Sequence, residues 1–392
     1  RRDFPLTREG LFNGLKEAVR GFSEAEFEKW LAEGRFDMRT IDGEPRFMVS
    51  SVKNLFWRYP ELESRRTPPK DTAAYQRAVL EACAAITEAA RRTGSPYVLP
   101  KRFRVTMTVT VNADAAPPGE VIRAWLPVPR HYPFQGGFRL LGSSSSVRHL
   151  TAEDSPIRSV LLEQPAVADR PTVFRIEYCY TAHGVRFEID PDKVQPSDPT
   201  NPELAPFLRE GPHVRFTPEL RALAERIAGV ETNPAGLARR FYDWIADNIR
   251  YSYSIEYCTI RDIAEYCRSR GYGDCGQEGM LFIALCRLRG IPARWQSGWN
   301  TFPGSVGIHD WTEIHLAPYG WVPVDPWAGI YFTQYASALT SDERRVVRDF
   351  YFGGLDQHRM AANSDHCQQL DPPKRSLRSD TVDFQRGELE WA

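Results

Sequence analysis

Cys275 stands where a glycine-rich turn meets an apolar run, in "GYGDCGQEGMLFIALCRLRGIPARW", residues 271–295. A cysteine needed only for packing would sit inside the apolar run, as Cys286 does. At a helix N-terminus, unsatisfied N–H groups and aligned peptide dipoles lower the pKa of a thiol and can stabilise an oxyanion beside the sulfur. The position therefore predicts a nucleophilic thiol, with a buried structural cysteine as the alternative.

Two motifs further along the chain could complete a catalytic site. His309 begins the strand pattern "HDWTEIHL", 34 positions after Cys275, and Asp325 ends the strand pattern "GWVPVDPW", 16 positions after His309. A nucleophilic thiol needs a base, and the imidazole needs a carboxylate to hold its tautomer. We therefore expect one helix and two strands to bring together Cys275, His309 and Asp325.

Each downstream residue also has an alternative reading. His315 lies in the same strand as His309, but roughly 20 Å away, because a strand rises ~3.3 Å per residue. We favour His309, since it stands at the strand end, where side chains can reach a cleft. Asp325 precedes Pro326, and an Asp in that position is often a turn former.

No metal or cofactor is expected. Four cysteines lie close in the chain but form no C-x-x-C pair, so a zinc site is not predicted; they are Cys258, Cys267, Cys275 and Cys286. The odd total of seven cysteines does not indicate a disulfide framework.

Charge and hydropathy exclude some partners. Fifty basic residues against fifty-one acidic ones give a net charge of -1, which predicts no nucleic-acid binding. No stretch approaches the ~18 apolar residues of a membrane span. The sequence opens on "RRDFPLTREG" without an apolar signal segment. We expect a cytoplasmic protein, or a secreted or periplasmic one if a leader preceded residue 1.

The elements that must position these residues fall into four predicted regions. Residues 1–100 read as helical, with a capping box at Ser23 and Glu26 and a long helix closed by Gly94; residues 39–62 are assigned as loop or short elements. Residues 101–188 alternate apolar and polar side chains, as in "FRVTMTVTV", which predicts a small antiparallel sandwich. The proline-rich residues 189–216 are interpreted as an extended linker.

Residues 217–392 are predicted to hold the catalytic domain and a C-terminal extension. Thr217–Pro218 and Asn233–Pro234 are helix starts, each a capping residue followed by proline at the first helical position. The second helix has Trp244 among its apolar residues. With the strands that follow, the pattern predicts an α+β protein.

Taken together, "GDCGQEGMLFIALCRLRGIPARW", "HDWTEIHL" and "GWVPVDPW" resemble the transglutaminase-like superfamily of papain-like cysteine enzymes, in the family's order of Cys, His and Asp. The resemblance covers residues 217–330. The strand region before it, with "AWLPVP", is similar to the β domain that precedes the core in some bacterial members. It implies a core in which a central helix carrying the cysteine packs on an antiparallel sheet. It also implies that Cys275 is the nucleophile, His309 the base and Asp325 the orienting carboxylate.

The family's oxyanion hole pairs the cysteine N–H with an upstream side chain, often an indole. The candidate residues for this role or for lining the site are Trp244, Gln277, Tyr253 and Trp311. The resemblance implies acyl chemistry on peptide, glutamine side-chain or cell-wall peptide amides, with hydrolysis favoured over transglutamination. The alternative is a non-catalytic binding protein that retains the fold. The sequence does not indicate an oligomeric state.

Overall fold

The computed structural model of the protein describes residues 2–378 and 380–392. It is an α+β protein in which helices and antiparallel sheets alternate along the chain. Within the described residues, no helix has the length and apolar character needed to cross a lipid bilayer.

The N-terminal region consists of helices and one hairpin. Ser23 begins a helix by accepting a hydrogen bond from the N–H of Glu26, and Gly94 ends the longest helix in the left-handed conformation, as predicted. The predicted capping box is only half formed, because the Glu26 carboxylate pairs with Arg65. Residues 39–62, predicted as loop or short elements, form most of the hairpin and a further helix. The elements are α1 (Arg8–Ala18), α2 (Glu24–Ala32), β1 (Met38–Ile41), β2 (Glu44–Phe47), α3 (Ser51–Arg58) and α4 (Ala73–Thr93).

Two antiparallel sheets then form a sandwich around an apolar core. Strands β3, β8 and β5 form one sheet, and β4, β7 and β6 form the other. Ile122 and Leu162 from one sheet and Phe174 and Tyr178 from the other are buried in the shared core, as the alternating pattern predicts. The bounds are β3 (Tyr97–Val111), β4 (Val121–Pro127), β5 (Gln135–Ser143), β6 (Val147–Leu150), β7 (Ser159–Pro165) and β8 (Thr172–Arg186).

The proline-rich segment 189–216 differs from the extended linker that its composition suggests. It contains two short 3-10 turns, and Val194, Leu204 and Val214 are buried against the core. Gln195 forms a β-bridge with Ala317. Prolines remove backbone donors, but they do not prevent apolar side chains between them from packing.

The core that follows is built around one buried helix. Helix α8 contacts α5, α6 and α7 as well as strands β11 and β12, and nearly all its side chains are buried. The elements are α5 (Pro218–Ala228), α6 (Pro234–Asn248), β9 (Arg250–Tyr251), α7 (Ile263–Arg270), β10 (Tyr272–Gly273), α8 (Cys275–Leu288), β11 (Ala293–Asn300), β12 (Gly307–Leu316), β13 (Gly320–Val324) and α9 (Pro326–Gln334).

The C-terminal segment joins the core to the sandwich. Its elements are α10 (Ser341–Phe350), β14 (Gly354–Leu355), β15 (Arg359–Ser364) and β16 (Glu388–Glu390). Strand β15 completes the core sheet in the order β13–β12–β11–β15, whereas β14 pairs with β8 and β16 pairs with β4. The segment assigned by sequence to the catalytic domain thus also supplies strands to both sheets of the β domain.

Candidate active site

Cys275 is the first residue of α8, as predicted, and a capping box fixes the turn before it. The Asp274 carboxylate accepts a hydrogen bond from the N–H of Gln277 at 3.2 Å, and the Gln277 side-chain oxygen accepts from the N–H of Asp274 at 3.3 Å. The N–H groups of Cys275 and Gly276 have no acceptor within the helix. The sulfur therefore lies beside donors that could stabilise an oxyanion.

Gly276 allows two aromatic side chains to approach this turn. A Cβ on Gly276 would lie 2.2 Å from the Tyr257 hydroxyl and 2.4 Å from the Trp295 ring. The Tyr257 hydroxyl donates to the Asp274 carboxylate at 2.5 Å. The glycine next to the cysteine is thus required by packing at the helix start.

His309 and Asp325 are in direct contact. The Nε2 atom of His309, in β12, lies 2.8 Å from Oδ2 of Asp325, which follows β13. The Asp325 side chain is fully buried; its Oδ1 accepts from the N–H of Ala328, capping α9, and its Oδ2 also accepts from Arg359 at 3.1 Å. Burial alone would raise the pKa of Asp325, but the charge and hydrogen bond of His309, together with Arg359, outweigh it and lower the pKa.

Two indoles hold the His309 ring. Trp311 stacks on it with ring centroids 6.1 Å apart, and Trp327 meets it edge-on at 5.1 Å. Because Asp325 binds Nε2, the Nδ1 atom is the ring nitrogen left for a proton from a thiol. The hydrogen bond to Asp325 and the two indole contacts together fix the orientation of the imidazole ring.

The Cys275 thiol has a different partner from the one that the triad requires. Its Sγ donates to Oδ2 of Asp310, the residue next to His309, at 3.4 Å. Cys275 and His309, both among the described residues, share no hydrogen bond. Burial, then the charges of Asp310 and Asp274, raises the pKa of the thiol well above its usual range. In this geometry the thiol is paired with Asp310 and not with the candidate base.

The thiol faces a cavity of about 320 Å³. Its lining includes Asp310 from β12, Tyr251 and Tyr253, and the C-terminal residues 380, 383, 385 and 386. The acidic residues that line it are Glu256, Asp274, Asp310, Asp380 and Asp383, and the basic one is Arg386. A substrate could reach the sulfur from this side.

The predicted oxyanion and lining residues are not all at the cavity. Tyr253 lines it, whereas Trp244 packs against the apolar core from α6. The Gln277 amide is engaged, because its nitrogen donates to Ser254 at 2.8 Å. Trp311 contacts His309, and its buried indole N–H has no partner among the described residues.

Sequence reasoning missed Asp310, Gln385 and Tyr251. Asp310 stands in the quoted strand motif, but its contact with the sulfur depends on how β12 meets the start of α8. Gln385 belongs to a C-terminal stretch with mixed signals, and Tyr251 to a short strand. In the described chain, no cluster of three or more His, Cys, Asp or Glu side chains could hold a metal ion.

Comparison with known proteins places the core in a family. Residues 221–326 match the sequence model of the transglutaminase-like superfamily, so the chain carries a transglutaminase-like core. It is 24% identical to an uncharacterised protein of Haemophilus influenzae over 43% of this chain and 52% of that one. It is 25% identical to the uncharacterised protein YebA of Bacillus subtilis over 32% of this chain and 19% of YebA.

The chain therefore spans about half of one curated relative and a fifth of the other. Among solved structures it is similar to a candidate cysteine protease from Cytophaga hutchinsonii, with 19% identity and a TM-score of 0.43, over 58% of this chain and 79% of that one. The match to the superfamily model covers residues 221–326, which include Cys275, His309 and Asp325.

Proposed function

We propose that the protein is a cysteine-dependent amidase, which cleaves peptide or glutamine side-chain amides through a thioester acyl-enzyme. The observation that carries the proposal is the 2.8 Å hydrogen bond between His309 and a fully buried Asp325, with the Cys275 thiol in contact with the residue next to His309. A buried carboxylate that orients an imidazole is the arrangement that thiol activation needs.

The reaction would begin with transfer of the thiol proton to Nδ1 of His309. The S–H bond breaks, an N–H bond forms, and Asp325 stabilises the resulting imidazolium. The thiolate attacks the amide carbonyl, and the N–H groups at the start of α8 stabilise the tetrahedral oxyanion. His309 then returns the proton to the departing amine, which leaves a thioester on Cys275.

We propose water as the acyl acceptor because water requires no binding site of its own. His309 would remove a proton from water, and the thioester would break to a carboxylic acid and the free thiol. If a primary amine reached the thioester instead, the same residues would form a new amide. The catalytic groups do not distinguish the two outcomes, but the products do.

The experiment is to incubate the protein with glutamine-containing peptides, with and without a fluorescent primary amine. Mass spectrometry would follow backbone cleavage, glutamine deamidation and amine incorporation. We expect cleaved or deamidated peptide and, on rapid acid quenching, an acyl adduct on Cys275. Cys275→Ala should abolish all products, whereas Cys258→Ala, which removes an exposed thiol, should leave them unchanged.

Two results would contradict the proposal. Product formation by Cys275→Ala would exclude Cys275 as the nucleophile. Reversible binding of the peptides by wild-type protein without any product or adduct would favour the alternative, a binding protein that retains the fold. Incorporation of the amine in place of hydrolysis would leave Cys275 as the nucleophile but make an amine, not water, the acyl acceptor.

A further inference from the structure

The hydrogen bond between Cys275 and Asp310 needs an explanation, because it opposes thiolate formation. When ionised, the Asp310 carboxylate, 3.4 Å from the sulfur, stabilises the S–H form and repels the anion. Burial, followed by the charge of Asp274, raises the pKa of Asp310 itself well above its usual range. A site built only for a reactive thiolate would place a cation or a neutral donor there. The structure instead places a buried acid in contact with the proposed nucleophile.

Asp310 cannot easily turn away from the sulfur. Its Oδ1 accepts a hydrogen bond from the Gln385 amide at 2.8 Å, and the same amide nitrogen lies 2.9 Å from the His309 carbonyl and 3.2 Å from the Gly298 carbonyl. Asp310 and Gln385 are each only 3% exposed. Gln385 of the C-terminal segment thus fixes the Asp310 carboxylate on β12, next to His309.

Charged and titratable groups face the thiol from every neighbouring element. Asp274 and Glu278 belong to the start of α8, and both oxygens of the buried Glu278 carboxyl are without partners among the described residues. The other groups that face the sulfur or share its cavity are Tyr251, Tyr253, Glu256, Tyr257, Asp310, Asp380, Asp383 and Arg386. Among the described residues that line the cavity, acidic groups outnumber the single guanidinium, and burial raises the pKa of several of these acids. Burial and this acidic lining together disfavour the thiolate.

We propose that Asp310 is a positioning residue which, held by Gln385, keeps the Cys275 thiol protonated and out of hydrogen-bond contact with His309 until a substrate enters the cavity. This inference rests on the proposed role of Cys275 as the nucleophile. Substrate entry would displace the sulfur from Asp310 and present it to Nδ1 of His309. The thiol proton then moves to His309.

The test is the pH dependence of Cys275 alkylation by neutral iodoacetamide in the full-length protein, read by peptide mass spectrometry. Comparing the rates at pH 9 and pH 7 cancels differences in accessibility. A thiol with the ordinary pKa near 8.5 gives a ratio of about 25, and one with a strongly raised pKa approaches about 100. We expect a ratio near 100 for wild-type Cys275 and a measurably lower ratio in Asp310→Asn, which stays above 25 because burial, the largest cause of the raised pKa, remains.

Asp380→Asn is the matched control. Asp380 lines the same cavity and accepts backbone N–H groups that an amide oxygen can also accept, but it makes no hydrogen bond to the sulfur. Its substitution should change the ratio by less than a third of the Asp310→Asn effect. An equal effect of both variants would assign the result to the cavity's overall charge and overturn the role of Asp310.

The wild-type measurement keeps the inference open to refutation even if Asp310→Asn does not fold. A wild-type ratio of 25 or less would mean that Cys275 already ionises readily, and the proposal would fail. This readout needs no turnover. Activity of Cys275→Ala would refute the proposed function, whereas the alkylation ratio alone tests the role of Asp310. The two failures are therefore distinguishable.

Discussion

Asp325 serves three groups with two oxygens. It binds His309, pairs with Arg359 and caps α9, and it does so without exposure to solvent. Asp356 is a second partner of Arg359, at 3.2 Å, and is also fully buried, but it contacts Tyr351 instead of His309. Both carboxylates bind Arg359, but only Asp325 binds His309. Substituting each in turn therefore separates the effect of Asp325 on the candidate active site from its effect on folding stability.

Asp325→Asn should lower turnover by about 10³- to 10⁴-fold, because an amide cannot stabilise the imidazolium and can select the wrong tautomer. It should also cost about 1–3 kcal/mol of folding free energy, since a charged hydrogen bond to Arg359 is lost. Steady-state kinetics and urea unfolding would measure both. Asp356→Asn, the matched control, should have a similar cost in stability but change turnover only a few-fold; equal losses of turnover would return Asp325 to a structural role.

The effect of Asp325→Asn on folding stability should depend on pH. The folded protein lowers the pKa of Asp325 below its ordinary value of 3.8, so the carboxylate's contribution to stability is present above that value. It is lost as the pH falls through the lower, folded-state pKa. The stability difference between wild type and Asp325→Asn should therefore shrink as the pH falls below 3.8.

Helix α3, from the N-terminal region, fixes a wall of the candidate active site. Its buried Asn54 donates to the Tyr253 carbonyl at 3.0 Å and accepts from the Tyr253 N–H at 2.8 Å. Arg58 of the same helix donates to the Ser252 hydroxyl, and Trp57 packs on Tyr251 with centroids 4.7 Å apart. The first hundred residues therefore help to shape the cavity next to Cys275.

Asn54→Ala should destabilise the protein by about 1–3 kcal/mol, because the Tyr253 N–H loses its partner and the Tyr253 carbonyl keeps only the longer hydrogen bond from the Ser252 hydroxyl, at 3.3 Å. We expect faster amide exchange in residues 251–257 and a higher KM for any substrate that occupies the cavity. Hydrogen exchange with mass spectrometry and urea unfolding would measure these changes. Lys16→Ala, at an exposed position of helix α1, is the control and should alter neither. Unchanged exchange in Asn54→Ala would mean that the wall does not depend on α3.

Across the whole molecule, the C-terminal segment joins regions that the sequence separates. Strand β16 pairs with β4, and Leu370 and Phe384 are buried with Trp125 and Leu161 of the sandwich. Gln385, between Phe384 and β16, reaches Asp310 beside Cys275. The sandwich and the candidate active site are therefore linked through one stretch of chain.

Gly387 is the position at which this link can be tested. Its φ is +90°, and an added Cβ would lie 2.7 Å from the Trp125 carbonyl, so Gly387→Ala should displace β16. Gly304→Ala is the control, because Gly304 has a φ of +78° but nothing within 4 Å of an added Cβ. Gly387→Ala should be less stable than this control by about 1–3 kcal/mol in urea unfolding.

Gly387→Ala should also change the pH ratio of Cys275 alkylation, since Gln385 lies two residues before it. Gly304→Ala should not. If Gly387→Ala lost stability and left the alkylation ratio at the wild-type value, the C-terminal segment would support the sandwich without acting on the thiol.

Local signals in the sequence predicted several features without knowledge of the fold. The alternation in β3, the caps at Ser23 and Thr217 and the placement of Cys275 at a helix start all depend on residues within a few positions of one another. The motif around His309 and Asp325 also predicted two neighbouring strands, which the structure has in antiparallel register. Periodicity and capping act over one or two turns, so sequence alone can express them.

The partner of the thiol was decided only by the tertiary structure. Asp310 meets Cys275 because α8 packs against β12, and Gln385 meets Asp310 because β16 lies beside β4. The packing of the proline-rich segment and the contact of Asn54 with Tyr253 likewise join residues far apart in the chain. Such contacts depend on strand register and side-chain burial, which arise when distant elements meet and leave no periodic pattern in the sequence.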